Sequence, residues 1–184
     1  MSEPGSGTDF YDAGPLKQVA INLFYGWGYN FYRAENQLRA DDQLIRAKAA
    51  SLLGQAHASL DGAEQTFRRE RLPTPTREKP FPDAAALQDV QALERLRGCF
   101  GALVSRLHAL PAPENDRMTQ RYRHEAETLE DLCACDEQLI GQSETLRLMV
   151  QGQTPDWTLA NRAAIEAGLT AIEETIRRRQ AILS

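Results

Sequence analysis

The chain has 184 residues, 42% of them hydrophobic and 26% charged, with a formal net charge of −5. These values suit one globular domain with a sizeable core, and they exclude a disulfide-stapled miniprotein and a disordered chain. The acidic balance, with a pI near 5.3, argues against a phosphate-backbone partner, so no nucleic acid is expected.

The opening residues, Met-Ser-Glu-Pro-Gly-Ser-Gly, have neither the basic region nor the apolar run of a secretory signal, and a cytoplasmic address is expected. Cys99, Cys133 and Cys135 are an odd number, too few for a disulfide framework, which fits a reducing compartment. The most apolar stretch, from Leu16 to Tyr32, contains Lys17, Gln18, Asn22 and Asn30, so no membrane span is expected.

Residues 1–14 read as a flexible lead and 15–184 as a single all-α domain. Prolines at 15, 73, 75, 80, 82, 111, 113 and 155 divide the domain into blocks 16–72, 83–110, 114–152 and 155–183, because proline breaks helix interiors. As one helix the first block would run to about 85 Å, against roughly 40–60 Å for the others. A break is therefore expected, at Gly26–Gly28 or around Glu35–Arg39. Upstream of it, 15–34 forms an extra helix. Downstream, Leu38, Ile45, Leu52, Ala56, Leu60, Ala63 and Phe67 give a bundle helix its apolar face.

The extra helix carries the sharpest local signal. Of the 13 aromatic residues in the chain, eight lie between Phe10 and Tyr32, so the density is local to this stretch. At helical spacing Phe24, Trp27 and Phe31 share one stripe, while Tyr25, Tyr29 and Tyr32 share a second, offset by about 100°. A helix on the outside of a bundle buries one stripe, so the second faces a further partner or stands exposed. Gly26 and Gly28 cost roughly 1 kcal/mol each in a helix, and close backbone approach is a common compensation. The plainer reading is that the aromatics are core, with the segment folded across the bundle end.

The segment from Leu72 to Pro82 reads as an extended connector stiffened by its prolines. Its length would let the flanking helices be non-neighbours. Asp83 then caps the second block, whose apolar face is Leu87, Val90, Leu93, Leu96, Phe100, Leu103, Leu107 and Leu110. The third block repeats the rhythm with Met118, Tyr122, Leu129, Leu132, Leu139, Leu146 and Val150, and with Ala126 and Ser143 at small positions. It also holds 9 of the 26 acidic residues against 4 basic, a negative excess that reads as a solvated face. Thr154 and Pro155 open the fourth block, which presents Ile165, Leu169, Ile172, Ile176 and Leu183. Arg177, Arg178 and Arg179 are placed to meet the last carbonyls of that helix. The expected architecture is an up-and-down four-helix bundle preceded by the aromatic helix.

Signatures of catalysis are absent. Cys133 and Cys135 point about 200° apart on a helix and cannot grip one metal, and acidic neighbours would raise their thiol pKa. His57, His108 and His124 fall one step off apolar positions, and none follows a Glu at the spacing that di-metal bundles require. Asp41 and Asp42 interrupt an apolar face; an inward-facing one would need Arg39 or Arg46 as partner. No phosphate-binding glycine motif or nucleophile elbow occurs.

The leading functional reading is a non-catalytic interaction protein, with a protein partner or a second copy of itself. Its contact surface is Phe24, Tyr25, Trp27, Tyr29, Phe31, Tyr32 and Arg33. The alternative is a small enzyme or carrier of a cofactor or metal, with a pocket between bundle and aromatic helix lined by the tyrosines, Arg33, Glu35, Asp41 and a histidine. No particular cofactor or metal is indicated.

Overall fold

The computed structural model describes residues 38–78, 80–110 and 125–183, with the backbone alone described for 38–42, 125–130 and 183. These residues build five helices: α1 (Leu38–Arg71), α2 (Ala84–Ala109), α3 (Glu125–Val150), α4 (Pro155–Ala160) and α5 (Arg162–Leu183). No strand occurs among the described residues. None of the described helices is long and apolar enough to cross a membrane.

Helix boundaries follow local chemistry. Asp83 has extended backbone and its carboxylate accepts the Ala86 amide at 3.2 Å, capping α2 as predicted. That helix stops at Leu110 (φ −61°, ψ 133°), where the following Pro111 disfavours the helical conformation. At the end of α3, Gly152 takes φ 70°, the left-handed conformation that a C-terminal cap needs and that glycine adopts without strain.

Thr154 caps the next helix, its Oγ1 accepting the Trp157 amide at 3.2 Å with Pro155 in the first turn. One expectation is corrected here: block 155–183 is two helices. Asn161 ends α4 with φ −101° and ψ 12°, and its side-chain amide donates to the Trp157 carbonyl at 2.9 Å. A local side-chain bond of this kind competes with continuation of the helix.

The four long helices pack as two hairpins. In the first, Arg97 meets Asp61, Arg68 meets Glu94, and Arg46 near the start of α1 donates to the Leu110 carbonyl at the end of α2. The two helices therefore run antiparallel. Although the connector is long, α1 and α2 are the most extensively packed pair. In the second hairpin Arg179 meets Asp136 and Thr175 meets Gln142, so α3 and α5 are also antiparallel. Asp156 at the start of α4 pairs with Arg71 at 3.5 Å, which brings the ends of α3 and α1 to one pole. The hairpins join through α1 against α3, whereas α2 and α3, consecutive in the chain, are not among the closely packed pairs.

The apolar periodicity is what drives this packing. Ile45, Leu53, Leu60, Leu96, Phe100, Leu107, Leu139, Leu146, Ile165 and Ile172 lie in one core cluster drawn from all four long helices. Ala49 and Ala56, both fully buried on α1, let a neighbouring helix approach closely. A satellite cluster of Phe67, Ala86, Val90 and Leu93 closes the pole where the connector leaves α1, with Leu72 and Leu159 against it. Of the predicted face of α2, Leu87 is the exception at 36% exposure, since it sits on the rim of the first turns. Met118 and Tyr122 lie outside the described residues, as do the side chains of Leu38, Ala126, Leu129 and Leu183.

Phe100 is completely buried where the hairpins meet. Chemical denaturation of Phe100→Ala is expected to show a loss of about 3–5 kcal/mol. Leu148→Ala, at a half-exposed position, should stay within about 0.5 kcal/mol of the parent.

Candidate interaction site and the buried polar seams

The predicted contact residues Phe24, Tyr25, Trp27, Tyr29, Phe31, Tyr32 and Arg33 lie outside the described residues, as does Glu35. Asp41 lies on the first turn of α1 and, like Asp42, has its side chain outside the description. What the structure does place is the polar chemistry of the bundle against which any such surface is built.

Between α1 and α2 the polar seam centres on Glu64. Its carboxylate is buried, receiving Arg68 at 2.7 Å and Arg97 at 3.0 Å, while Arg97 also meets Asp61 at 2.6 Å and Arg68 reaches Glu94. Glu64 is the largest influence holding the Arg68 guanidinium above its ordinary pKa, and Asp61 is that for Arg97. Two guanidinium groups balance the charge of this buried carboxylate, Arg68 through a hydrogen bond to Oε1 and Arg97 at ion-pair distance from Oε2, which has no hydrogen-bond partner among the described residues. A turn away, the His57 imidazole lies over Gly101, where a Cβ would sit 3.5 Å from Nε2. His57 is half-buried and His108 exposed, as flank positions imply, and His124 lies outside the described residues.

The seam between α3 and α5 is buried more deeply. Arg179 Nε donates to Asp136 Oδ1 at 2.5 Å, with the two side chains 3% and 0% exposed. Thr175 donates to Gln142 at 3.0 Å, and Arg178 donates to Gln138. Two expectations are corrected by this arrangement. Arg179 does not serve the last carbonyls of α5, because that helix continues to Leu183 and has no basic residue in its last turn. The acidic excess of α3 is not purely a solvated face, since Asp136 and Glu144 are buried. Glu144 is held by Arg147 through both carboxylate oxygens at 2.6 Å, which raises the pKa of the Arg147 guanidinium.

A signal for these residues was present in the sequence. Asp136 is seven residues before buried Ser143, and Arg179 is seven after buried Ile172, so both occupy core positions of their heptads. Arg46 gives a guanidinium hydrogen bond to the Leu110 carbonyl, and the side chains of Asp41 and Asp42, the aspartates that the sequence offers as its partners, lie outside the description.

The cysteines are reduced and differ in surroundings: Cys99 is exposed, Cys133 intermediate and Cys135 buried. Burial is the main reason the Cys135 thiol is pushed up, with Asp136 and Asp131 adding to it while Arg178 and Arg179 oppose it. Among the described residues no three His, Cys, Asp or Glu side chains gather as metal ligands. Among the described residues, the large apolar side chains that stand exposed are Leu44, Phe81, Leu87 and Leu148, on three different helices and the connector.

No protein-family model, curated protein or solved structure matches this chain.

Removing one member of the buried pair strands the other. Asp136→Ala is expected to lose about 3–5 kcal/mol in denaturant titrations, and Asp136→Leu combined with Arg179→Leu should recover most of that loss. For Cys135, a folded-state pKa above the unfolded one means that stability is complete below the ordinary thiol range and declines as pH rises through it. Denaturation midpoints are expected to fall from neutral to alkaline pH by a larger margin than in Cys135→Ala, and thiol labelling of the native protein should reach Cys99 before Cys135.

Proposed function

We propose that this chain is a non-catalytic interaction protein whose contact surface is the N-terminal aromatic segment, with Phe24, Tyr25, Trp27, Tyr29, Phe31 and Tyr32 as its body and Arg33 as a charged rim contact. The observation that carries the reading is the crowding of eight of 13 aromatic residues between Phe10 and Tyr32, six of them in two stripes, more than one intramolecular seam can use. Tyrosine and tryptophan bury a large area while keeping a polar handle, the mixture that dominates protein–protein hot spots. The scaffold is taken to be an up-and-down four-helix bundle carrying an aromatic N-terminal helix, in the cytoplasm, with a second copy of the chain as first partner.

The described helices support this reading in two ways. Glu64, Asp136 and Glu144 are each paired with an arginine of the same chain, so these buried charges serve the fold. Among the described residues the exposed large apolar side chains, Leu44, Phe81, Leu87 and Leu148, are spread over three helices and the connector, whereas the sequence concentrates its aromatics in the N-terminal segment.

Light scattering across a concentration series tests the reading. The parent chain is expected above its monomer mass of 20.6 kDa. Trp27→Ala should fall to the monomer with helicity unchanged, a loss of at least about 2 kcal/mol of association energy. A parent that stays monomeric at every concentration, or one that purifies with visible absorbance or stoichiometric metal, would overturn the reading in favour of a carrier or enzyme.

A further inference from the structure

The sequence holds two Thr-Pro dipeptides, Thr74-Pro75 and Thr154-Pro155, and the fold treats them oppositely. Thr154 is locked: its Oγ1 accepts the Trp157 amide at 3.2 Å, its carbonyl accepts the Thr158 amide at 3.0 Å, and Pro155 is already the first residue of α4. Thr74 lies in the connector between α1 and α2, where Pro73 to Thr76 run without helix or bend and all four residues are exposed. Proline fixes its own φ at about −65° and pushes the residue before it into extended backbone, so Pro73 and Pro75 hold this stretch in that form.

The connector is also longer than the fold requires. Neighbouring helices pack about 8–10 Å apart, whereas the residues from Pro73 to Pro82 reach roughly 33–36 Å when extended. The connector is fixed at its ends and not along its length: Leu72 rests on the satellite cluster and Asp83 caps α2, while the described residues between them stay exposed. Among the other described hydroxyls, those of Ser59, Ser105 and Thr170 lie on helices and donate to the carbonyl four residues back, and those of Ser143, Thr158 and Thr175 are buried.

We propose that Thr74 is a phosphoryl-acceptor site for a proline-directed protein kinase, and that Arg71 and Arg77 clamp the phosphate it receives. A kinase aligns the acceptor hydroxyl by holding the flanking chain extended, which helical residues cannot offer because their amides and carbonyls are already paired. A proline after the acceptor suits a pocket with no partner for a backbone N–H, where any other residue would leave that group unpaired. In the transfer, Thr74 Oγ1 attacks the γ-phosphorus of a nucleoside triphosphate brought by the kinase. The new O–P bond forms as the bond to the β-phosphate oxygen breaks, the hydroxyl proton passes to the general base of the kinase, and the nucleoside diphosphate departs.

Arg71 and Arg77 are both exposed and flank Thr74 symmetrically in the chain. The ion pair of Arg71 with Asp156, at 3.5 Å, joins side chains 58% and 72% exposed, and a surface pair of this kind is readily exchanged. A phosphate brings a charge of about −1.5 to −2 and three acceptor oxygens, so it outcompetes one carboxylate for that guanidinium. Neither half of this assignment rests on the function proposed above.

The test incubates the full chain with a purified proline-directed serine/threonine kinase and ATP, and reads the product by intact-protein and fragment mass spectrometry. One phosphoryl group is expected, on Thr74. Thr74→Val should lose it, Pro75→Ala should slow its transfer by about tenfold or more, and Thr154→Val should leave it unchanged. A chain that accepts no phosphate, or that takes it as readily without Pro75 or on Thr154, overturns the site. The clamp is read separately by phosphorus NMR. The second ionisation of the phosphate is expected at lower pH in the parent than in Arg71→Gln combined with Arg77→Gln, because neighbouring guanidinium groups favour its doubly charged form. Identical titrations overturn the clamp and leave the acceptor site standing.

Discussion

The enclosure of α3 on every side around Leu139–Glu144 is the constraint on which the rest of this structure depends. A helix at the corner of a four-helix bundle ordinarily keeps one face in water. Here the helix lies between the α1 seam and the α5 seam, and its far side is closed as well. The close pairs are α1 with α2, α1 with α3 and α3 with α5, and a thinner contact of α2 with α5 completes the circuit, which leaves α2 and α3 on a diagonal. The α2-to-α3 passage connects helices that are not one another's principal neighbours, a consequence of the same arrangement.

A helix so placed carries an unusual load of polar side chains. Asp136, Gln142, Ser143 and Glu144 are all buried on it, and the first two accept hydrogen bonds from Arg179 and Thr175 of α5. Burying an ion pair adds little net stability compared with a well-packed apolar pair, because removing two charges from water costs about as much as their attraction returns. Its effect is on uniqueness. An apolar seam of leucines and isoleucines tolerates sliding by a turn, whereas a slide here would leave a carboxylate and a guanidinium buried and apart. The Glu64 cluster has the same role between α1 and α2, with weaker consequences because Arg68 and Arg97 remain partly in water.

Much of the architecture was legible in the residues because it follows from local chemistry. The heptads of α2, the Asp83 cap, the Thr154–Pro155 start and the exposed proline connector need no knowledge of neighbours, and each stands in the structure as the spacing implies. The parts that were not legible depend on tertiary geometry. Nothing in the pattern of Trp157 to Ile165 marks Asn161 as a break, since asparagine is tolerated in helices and becomes a stop only when its amide finds the Trp157 carbonyl. Pairing of α1 with α3 is likewise invisible to periodicity, which gives each helix a face but not a partner. Charge alone places Asp136 on a solvated face and Arg179 at a helix end; their heptad positions point inward, and position prevails. As for the candidate surface, its residues stand out by density and spacing alone, and they lie outside the described residues.

The choice of arginine at position 179 has a kinetic consequence. A guanidinium has no neutral form within reach at physiological pH, so it cannot shed its charge to ease its exit from the interior. Partial fraying that separates it from Asp136 while both remain dry is therefore a high-energy path, and parting this hairpin requires water to enter along the seam in one step. The α3–α5 pair should consequently behave as a single cooperative unit, opening whole or not at all, even though its outer residues are free to move.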